Sequence, residues 1–189
     1  MNQAIAKAKL RRQFKALRAQ QLPAVQNRII QQVVNTVQGY LKAGKLRGHI
    51  GVYWPLSGEV DLRELKLNLK LPLALPVSGE DGSLTYHPWT LTPLRKDACM
   101  IPAPLDEAAL EADAIDLLLI PALAMDQRGI RLGYGGGFFD RLRSEVTWHK
   151  IPAFAVVPQA CISTELLPRE SWDVPLDGWI SETGVSRVK

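Results

Sequence analysis

The segment from Arg128 to Arg141, Arg-Gly-Ile-Arg-Leu-Gly-Tyr-Gly-Gly-Gly-Phe-Phe-Asp-Arg, concentrates the residue types from which an anion site can be built. Four glycines, Gly133, Gly135, Gly136 and Gly137, fall within five positions. Glycine permits positive φ and lets backbone N–H groups approach a ligand with no Cβ in the way. A helix beginning just after such a loop adds unsatisfied N–H donors and a partial positive charge, and both favour phosphate. Arg131 adds a guanidinium able to hold a phosphate or carboxylate through two bonds. Asp140, one turn into the helix, carries the hard oxygens that a divalent cation takes. A tight turn by itself asks for one or two glycines, not four. The segment lacks the Gly-Lys-Ser/Thr end of a Walker loop, and its Gly-x-Gly-Gly-Gly spacing is not the dinucleotide fingerprint. Residue types and spacing therefore predict an anion-binding loop for a nucleotide.

A second source of positive charge lies at the amino end. Residues 1–57 contain no Asp or Glu but ten cations: Lys7, Lys9, Arg11, Arg12, Lys15, Arg18, Arg28, Lys42, Lys45 and Arg47. The whole chain carries +4, so the remainder is net acidic by six. Ile5, Leu10, Phe14 and Leu17 form one apolar stripe and predict a helix over 4–20. Lys7, Arg11 and Arg18 share a strip beside it, because spacings of four and seven return to one face. With no acid nearby in sequence, that strip repels itself unless an anion visits. A pI near 9.2 also raises a nucleic-acid-binding module using the basic first helix. That reading lacks interleaved aromatics on the basic face and leaves the glycine loop unexplained.

These residues need a scaffold. A second helix is expected after Pro23, with Val25, Ile29, Val33, Val37 and Tyr40 or Leu41 inward and an end near Gly44. Strands are expected at 49–54, 71–77, 84–87, 115–121, 151–157 and 178–181, and helices at 59–69 and about 137–146. The near-continuous apolar run Ile115–Pro121 reads as a buried parallel strand. Strands alternating with helices imply one α/β domain over 1–189: a mostly parallel, Rossmann-like sheet with helices on both faces in three layers.

Other classes are excluded on composition and spacing. With 47% hydrophobic and 22% charged residues over 189 positions, extended disorder and repeat fibres do not fit. The longest apolar run, Leu117–Met125, is broken by Pro121 and far below the roughly 20 residues that span a bilayer. No apolar stretch and cleavage site follow the basic start, so no secretory signal is read. Cys99 and Cys161 stand apart without a paired motif and read as reduced thiols. His49, His87 and His149 show no zinc spacing. A cytoplasmic, monomeric protein that binds neither membrane nor nucleic acid is expected.

The glycine segment also resembles a known signature. Pro121 to Asp126, Gly129, and Arg131-Leu132-Gly133-Tyr134-Gly135-Gly136-Gly137-Phe138-Phe139-Asp140-Arg141 are similar to the central motif of the 5-formyltetrahydrofolate cyclo-ligase (methenyltetrahydrofolate synthetase) family. Lys7-Ala-Lys-Leu-Arg11, Trp54 to Asp61 with its Ser-Gly-Glu-Val-Asp, and Leu167-Pro168 through Trp172-Asp173 resemble its other elements in order. The resemblance implies conversion of 5-formyltetrahydrofolate, in mono- or polyglutamated form, to 5,10-methenyltetrahydrofolate, with ATP split to ADP and phosphate in the presence of magnesium. It implies that the formyl oxygen is phosphorylated first, which turns a poor leaving group into a good one.

By the same resemblance, Lys7 and Arg11 match positions on the ATP phosphates, and the loop Arg131, Leu132, Gly133, Tyr134, Gly135, Gly136, Gly137, Phe138 and Phe139 matches the ATP-binding segment. Arg131 is the implied catalytic cation. Trp54, Glu59, Tyr134 and Phe138 match substrate-contacting positions, with Glu59 able to accept hydrogen bonds from the amino-pyrimidine ring. Asp140 and Asp173 match magnesium-binding carboxylates. Trp54, Phe138 and Phe139 offer faces for stacking a flat pterin. Two departures from the common pattern involve three positions: many relatives carry Lys at Gly136 and Tyr-Tyr at Phe138-Phe139. Phosphate charge must then be met by Arg131, Lys7, Arg11 and magnesium. The alternative within the same fold is a nucleotide-binding relative acting on another substrate. Replacing Arg131 by Ala is expected to harm catalysis more than stability, as for an exposed cleft arginine.

Overall fold

A computed structural model describes residues 3–69 and 71–188. Its centre is a seven-stranded sheet built from β1 (His49–Gly51), β2 (Leu73–Ser78), β3 (Leu84–Pro88), β4 (Ile115–Pro121), β5 (Ala153–Val156), β6 (Gly178–Ser181) and β7 (Gly184–Arg187). The spatial order is β7-β6-β5-β4-β1-β2-β3. The five inner strands run parallel, while β3 and β7 lie antiparallel at the two edges. The mostly parallel α/β sheet predicted from the alternation of elements is therefore present. β4 and β6 have the predicted bounds; β7 was not predicted, and its alternating half-buried pattern suits an edge strand.

Successive side chains of a strand point to opposite faces, and the two faces carry separate apolar clusters. Leu118 and Ile120 of β4, with Ala153 and Ala155 of β5, join one cluster with Leu142 and Trp148 from the helices α3 (Phe138–Ser144) and α4 (Val146–His149). Leu117, Leu119, Phe154 and Val156 face the other way, toward Ile29, Val33, Val37 and Leu65. Leu65 belongs to the single turn α2 (Leu65–Asn68), much shorter than the helix expected over 59–69. Val60 and Leu62 are instead buried as irregular backbone.

The amino end departs most from expectation. The first helix and the helix expected after Pro23 are one element, α1, running Gln3–Lys42 over 40 residues, a length of about 60 Å. Proline normally ends a helix because it lacks the N–H and crowds the preceding turn. Here Phe14, Arg18, Leu22, Val25, Ile29, Val33 and Val37 are all buried. This stripe of three- and four-residue steps runs straight across Pro23, and Pro23 and Ala19 lie on the exposed side. Packing of one continuous stripe outweighs the local cost, and the Ala19 carbonyl left without a donor can face water. Phe14 joins the first apolar cluster and Leu22 to Val37 the second, so α1 links both.

A small second sheet carries the glycine segment. Ala124–Asp126 pairs antiparallel with Arg131–Leu132 and parallel with Ile162–Ser163. Asp126 is fully buried and accepts bonds from the amides of Arg128, Ile130 and Leu167 and from the Arg128 guanidinium. One carboxylate thus fixes the hairpin that presents Arg131. At its tip Gly129 has φ +83°, and a Cβ there would sit 2.5 Å from the Leu176 carbonyl oxygen, so only glycine fits.

Candidate active site

A cleft of about 400 Å³ opens where β1 ends and where β4 ends, its wall including Tyr53, Trp54 and Pro121. The chain runs from β1 to β2 on one side, while β4 lies on the other. In open α/β sheets ligands bind at such a point, beyond the carboxyl ends of the strands. The cleft gathers every residue that the family resemblance assigned to the site: Lys7, Arg11, Trp54, Glu59, Arg131 through Asp140, and Asp173. Three cations, Lys7, Arg11 and Arg131, face four carboxylates, Glu59, Asp97, Asp140 and Asp173, around an otherwise largely apolar wall.

The glycine loop is shaped by arginines. Arg11 Nε donates to the Gly133 carbonyl at 2.9 Å, and its guanidinium lies where a Cβ on Gly135 would come within 3.4 Å. Gly135 and Gly137 have φ of +109° and +68°, conformations that side chains with a Cβ rarely adopt. Gly137 leads directly into α3. A Cβ on Gly136 would meet the Phe138 ring at 2.8 Å, so a larger residue requires that ring to move.

Both candidate metal carboxylates are paired with cations. Arg131 Nη2 holds Asp140 Oδ2 at 2.8 Å, and Lys7 Nζ holds Asp173 Oδ2 at 2.6 Å. Lys7 therefore has an acidic partner after all, supplied from 166 positions away. Arg131 is also less open than expected: its side chain is only 7% exposed, which corrects the view of it as an exposed cleft arginine. Among the described residues no three His, Cys, Asp or Glu side chains group as a metal centre. The donor set still suits magnesium, which is commonly held by one or two carboxylates with substrate phosphates and water.

The aromatic residues differ from one another in what they offer. Arg131 lies over the Phe139 ring at 5.3 Å and Arg141 over Phe138 at 5.1 Å, so a guanidinium already occupies one face of each. Phe139 also packs against the core. Trp54 meets Trp89 edge-on at 6.1 Å and has Arg63 over its ring at 5.1 Å.

At the back of the cleft stands a group that the sequence reading placed on the basic strip but did not assign to the site. Arg18 is 2% exposed; Nη1 donates to the Ala122 carbonyl at 2.8 Å and Nη2 donates to the Tyr134 hydroxyl. Its Nη1 lies 4.0 Å from Glu59 Oε1. The other Glu59 oxygen accepts from the Leu56 amide at 2.8 Å. Burial raises the Glu59 pKa, against the opposing pull of that amide, the Arg18 charge and the Tyr134 hydroxyl. Burial and the Glu59 charge push Tyr134 up to about 12. A charged residue in an otherwise apolar helix stripe, at 14-18-22, was the available signal for Arg18. Tyr53, Leu56, Cys99, Ile101 and Trp172 also line the cleft, and nothing in their spacing marks them.

Fold and cleft together place the chain among α/β enzymes whose site, lined by paired cations and carboxylates beside a glycine loop, lies at the ends of parallel strands. The sequence pattern of the 5-formyltetrahydrofolate cyclo-ligase family matches residues 3–182. A 5-formyltetrahydrofolate cyclo-ligase of Escherichia coli K12 is 30% identical over 144 residues, covering 72% of this chain and 79% of that one. That of Haemophilus influenzae is 29% identical, covering 88% and 92%. The structure of Aquifex aeolicus 5,10-methenyltetrahydrofolate synthetase superposes with a TM-score of 0.79 at 26% identity, covering 97% of this chain and 93% of that one. A Mycoplasma pneumoniae synthetase, at 22% identity and TM-score 0.71, shares the fold. The chain belongs to the 5-formyltetrahydrofolate cyclo-ligase family, and is thereby a ligase. Among the described residues no helix is long and apolar enough to cross a membrane.

Proposed function

We propose that this chain, acting as a single cytoplasmic domain and a monomer, converts 5-formyltetrahydrofolate to 5,10-methenyltetrahydrofolate and splits ATP to ADP and phosphate with magnesium. The observation that carries the reading is one cleft lined by Lys7, Arg11, Arg131 and the glycine loop as well as by Trp54 and Glu59. Phosphate and a flat, donor-bearing ring can be held side by side there.

In this reading the formyl oxygen attacks the γ-phosphorus, an O–P bond forms, and the bond to ADP breaks. The neighbouring folate nitrogen then bonds to the formyl carbon, the C–O bond breaks with its electron pair leaving on phosphate, and the nitrogen's proton passes to water. Such chemistry depends on in-line positioning and neutralised phosphate charge, with no covalent nucleophile. Lys7 and Arg11 bind the phosphates, and Arg131 neutralises the transferring group. Asp140 and Asp173 would hold magnesium, which supplies further neutralisation of phosphate oxygens. The Arg131–Asp140 and Lys7–Asp173 pairs keep these cations in place between substrates, and exchange partners when phosphate and metal arrive. Glu59 accepts from the pterin ring, and Trp54 supplies its apolar wall. Leu132, Gly133 and the backbone through Gly137 shape the nucleotide side, with Tyr134 and Phe138 between the two substrates and Phe139 supporting Arg131 from below.

The test is incubation of the protein with ATP, magnesium and 5-formyltetrahydrofolate while methenyl absorbance is followed. Product formation that requires all three supports the reading, and its absence refutes it. ATP hydrolysis with no methenyl product would assign the cleft to another substrate.

A further inference from the structure

Glu59 is buried, and no donor stands in hydrogen-bonding geometry at its Oε1, although the Tyr134 hydroxyl lies near enough to favour its charged form. The Arg18 guanidinium stands 4.0 Å from that oxygen, near enough for charge but too far to take the lone pair. Its own bonds go elsewhere, to the Ala122 carbonyl and the Tyr134 hydroxyl. Its plane also lies 5.6 Å from the Tyr134 ring centre. A buried acceptor without a donor costs free energy in the empty protein, and is tolerated where a ligand completes it. The groups that face Glu59 are Arg18 from α1, Tyr134 from the glycine loop and Tyr53 from the segment after β1, with Asp61 beside Tyr53. Arg18 is the one cation among them. Tyr53 already donates to the Val60 carbonyl at 3.0 Å.

We propose that Arg18 is a positioning and specificity residue for the folate ring: without touching substrate, it sets its positive charge 4.0 Å from Glu59 Oε1 while its own hydrogen bonds go elsewhere, which leaves that oxygen open for the ring's N–H donors. This rests on the folate reading above. Arg18 also tethers the Tyr134 hydroxyl, so one guanidinium sets both the charge of the acceptor and the position of the side chain between the two substrates. A neutral Glu59 would present a hydroxyl on one oxygen and lose the charge-assisted bond, which is the stronger kind. Selectivity would fall with it, because a site built to accept hydrogen bonds rejects a ring that lacks the donors.

The test measures equilibrium binding of 5-formyltetrahydrofolate through tryptophan fluorescence, beside steady-state KM for each substrate, in Arg18→Gln, Arg18→Lys, Glu59→Gln and the double variant Arg18→Gln/Glu59→Gln. Arg18→Gln should weaken folate binding at least tenfold at pH 7 while the KM for ATP changes less than threefold. The loss should shrink as pH rises and Glu59 regains its charge. Arg18→Lys should recover part of the binding, and the double variant should bind no worse than Glu59→Gln alone. A loss that is the same at every pH, equal rises in both KM values, or additive losses in the double variant would overturn the inference. If Arg18→Gln does not fold, Tyr134→Phe at its partly exposed position decides. It frees the guanidinium and withdraws a hydroxyl from Glu59, so binding should weaken with the same pH trend, and unchanged binding overturns the inference. Wild-type protein that neither binds 5-formyltetrahydrofolate nor forms methenyl product overturns the folate reading itself, whereas an active wild type with an indifferent Arg18 overturns only this step.

Discussion

Gly133→Ala adds one methyl group where the cleft has least room for it. The new Cβ would lie 2.6 Å from Arg131 Nη1, against at least 3.4 Å in ordinary contact. The guanidinium must therefore retreat by roughly 1 Å, a misplacement that can cost up to about a hundredfold in rate when it falls on a catalytic group. The backbone does not object, since Gly133 is not among the glycines with positive φ. Alanine there gains about 0.4–1 kcal/mol by restricting the unfolded chain. Loosening the 2.8 Å Arg131–Asp140 pair costs on the order of 1.5 kcal/mol, the low end for a bond between charged groups. The gain offsets only part of the cost, leaving a net loss of about 0.5–1 kcal/mol and a Tm lower by about 1–4 °C. Turnover in the methenyl assay should fall about 10- to 100-fold beside that small thermal shift. Unchanged turnover would refute the idea that the position of Arg131 sets the rate, and a collapse of Tm would show that the loop cannot yield at all.

Three further outcomes follow from the same geometry. Arg131→Ala should lower stability in urea by about 1–3 kcal/mol as well as activity, because it strands the partly buried Asp140 carboxylate; activity loss at full stability would show that the pair contributes nothing to folding. Pro23→Ala restores an N–H inside α1 on its exposed side and should raise stability, by up to about 3 kcal/mol, with turnover unchanged. Glu59 has a folded pKa above its ordinary value of 4.5, so its protonated form is the one that favours folding. Its contribution is complete at pH below 4.5 and is lost as pH rises through the raised value. Urea midpoints across that window should show wild type losing ground to Glu59→Gln with rising pH, and a constant gap between the two would contradict the shift.

The sheet was legible because a buried parallel strand writes itself as an unbroken apolar run, as in Ile115–Pro121, and the glycine loop because few backbones need four glycines in five positions. Helix α1 was misread as two, since Pro23 is a local signal and the stripe that overrides it is recognised only through partners on the sheet. The 59–69 segment differs in the opposite sense: only Leu65–Asn68 forms a helical turn, while Val60 and Leu62 are buried in irregular chain before it. The gathering of Lys7, Trp54, Glu59 and Asp173 in one cleft followed from resemblance, for no spacing relates residues so far apart. Arg18 was visible on the basic strip, yet its burial beside Glu59 depends on where the glycine loop docks.

Helix α1 also has a consequence for how the molecule is made. Its first turns leave the ribosome before any of the sheet exists, but Lys7 pairs with a carboxylate 166 residues later and Arg18 bonds a carbonyl 104 residues later. The cationic flank of this long helix must therefore wait for its partners while the intervening chain is made. Such distant contacts are slow to form, because long loops close before the contacts repay them. Lys7 gains its carboxylate partner only when Asp173 emerges, so a nascent chain released short of that point would carry five of the seven strands and lack one wall of the cleft.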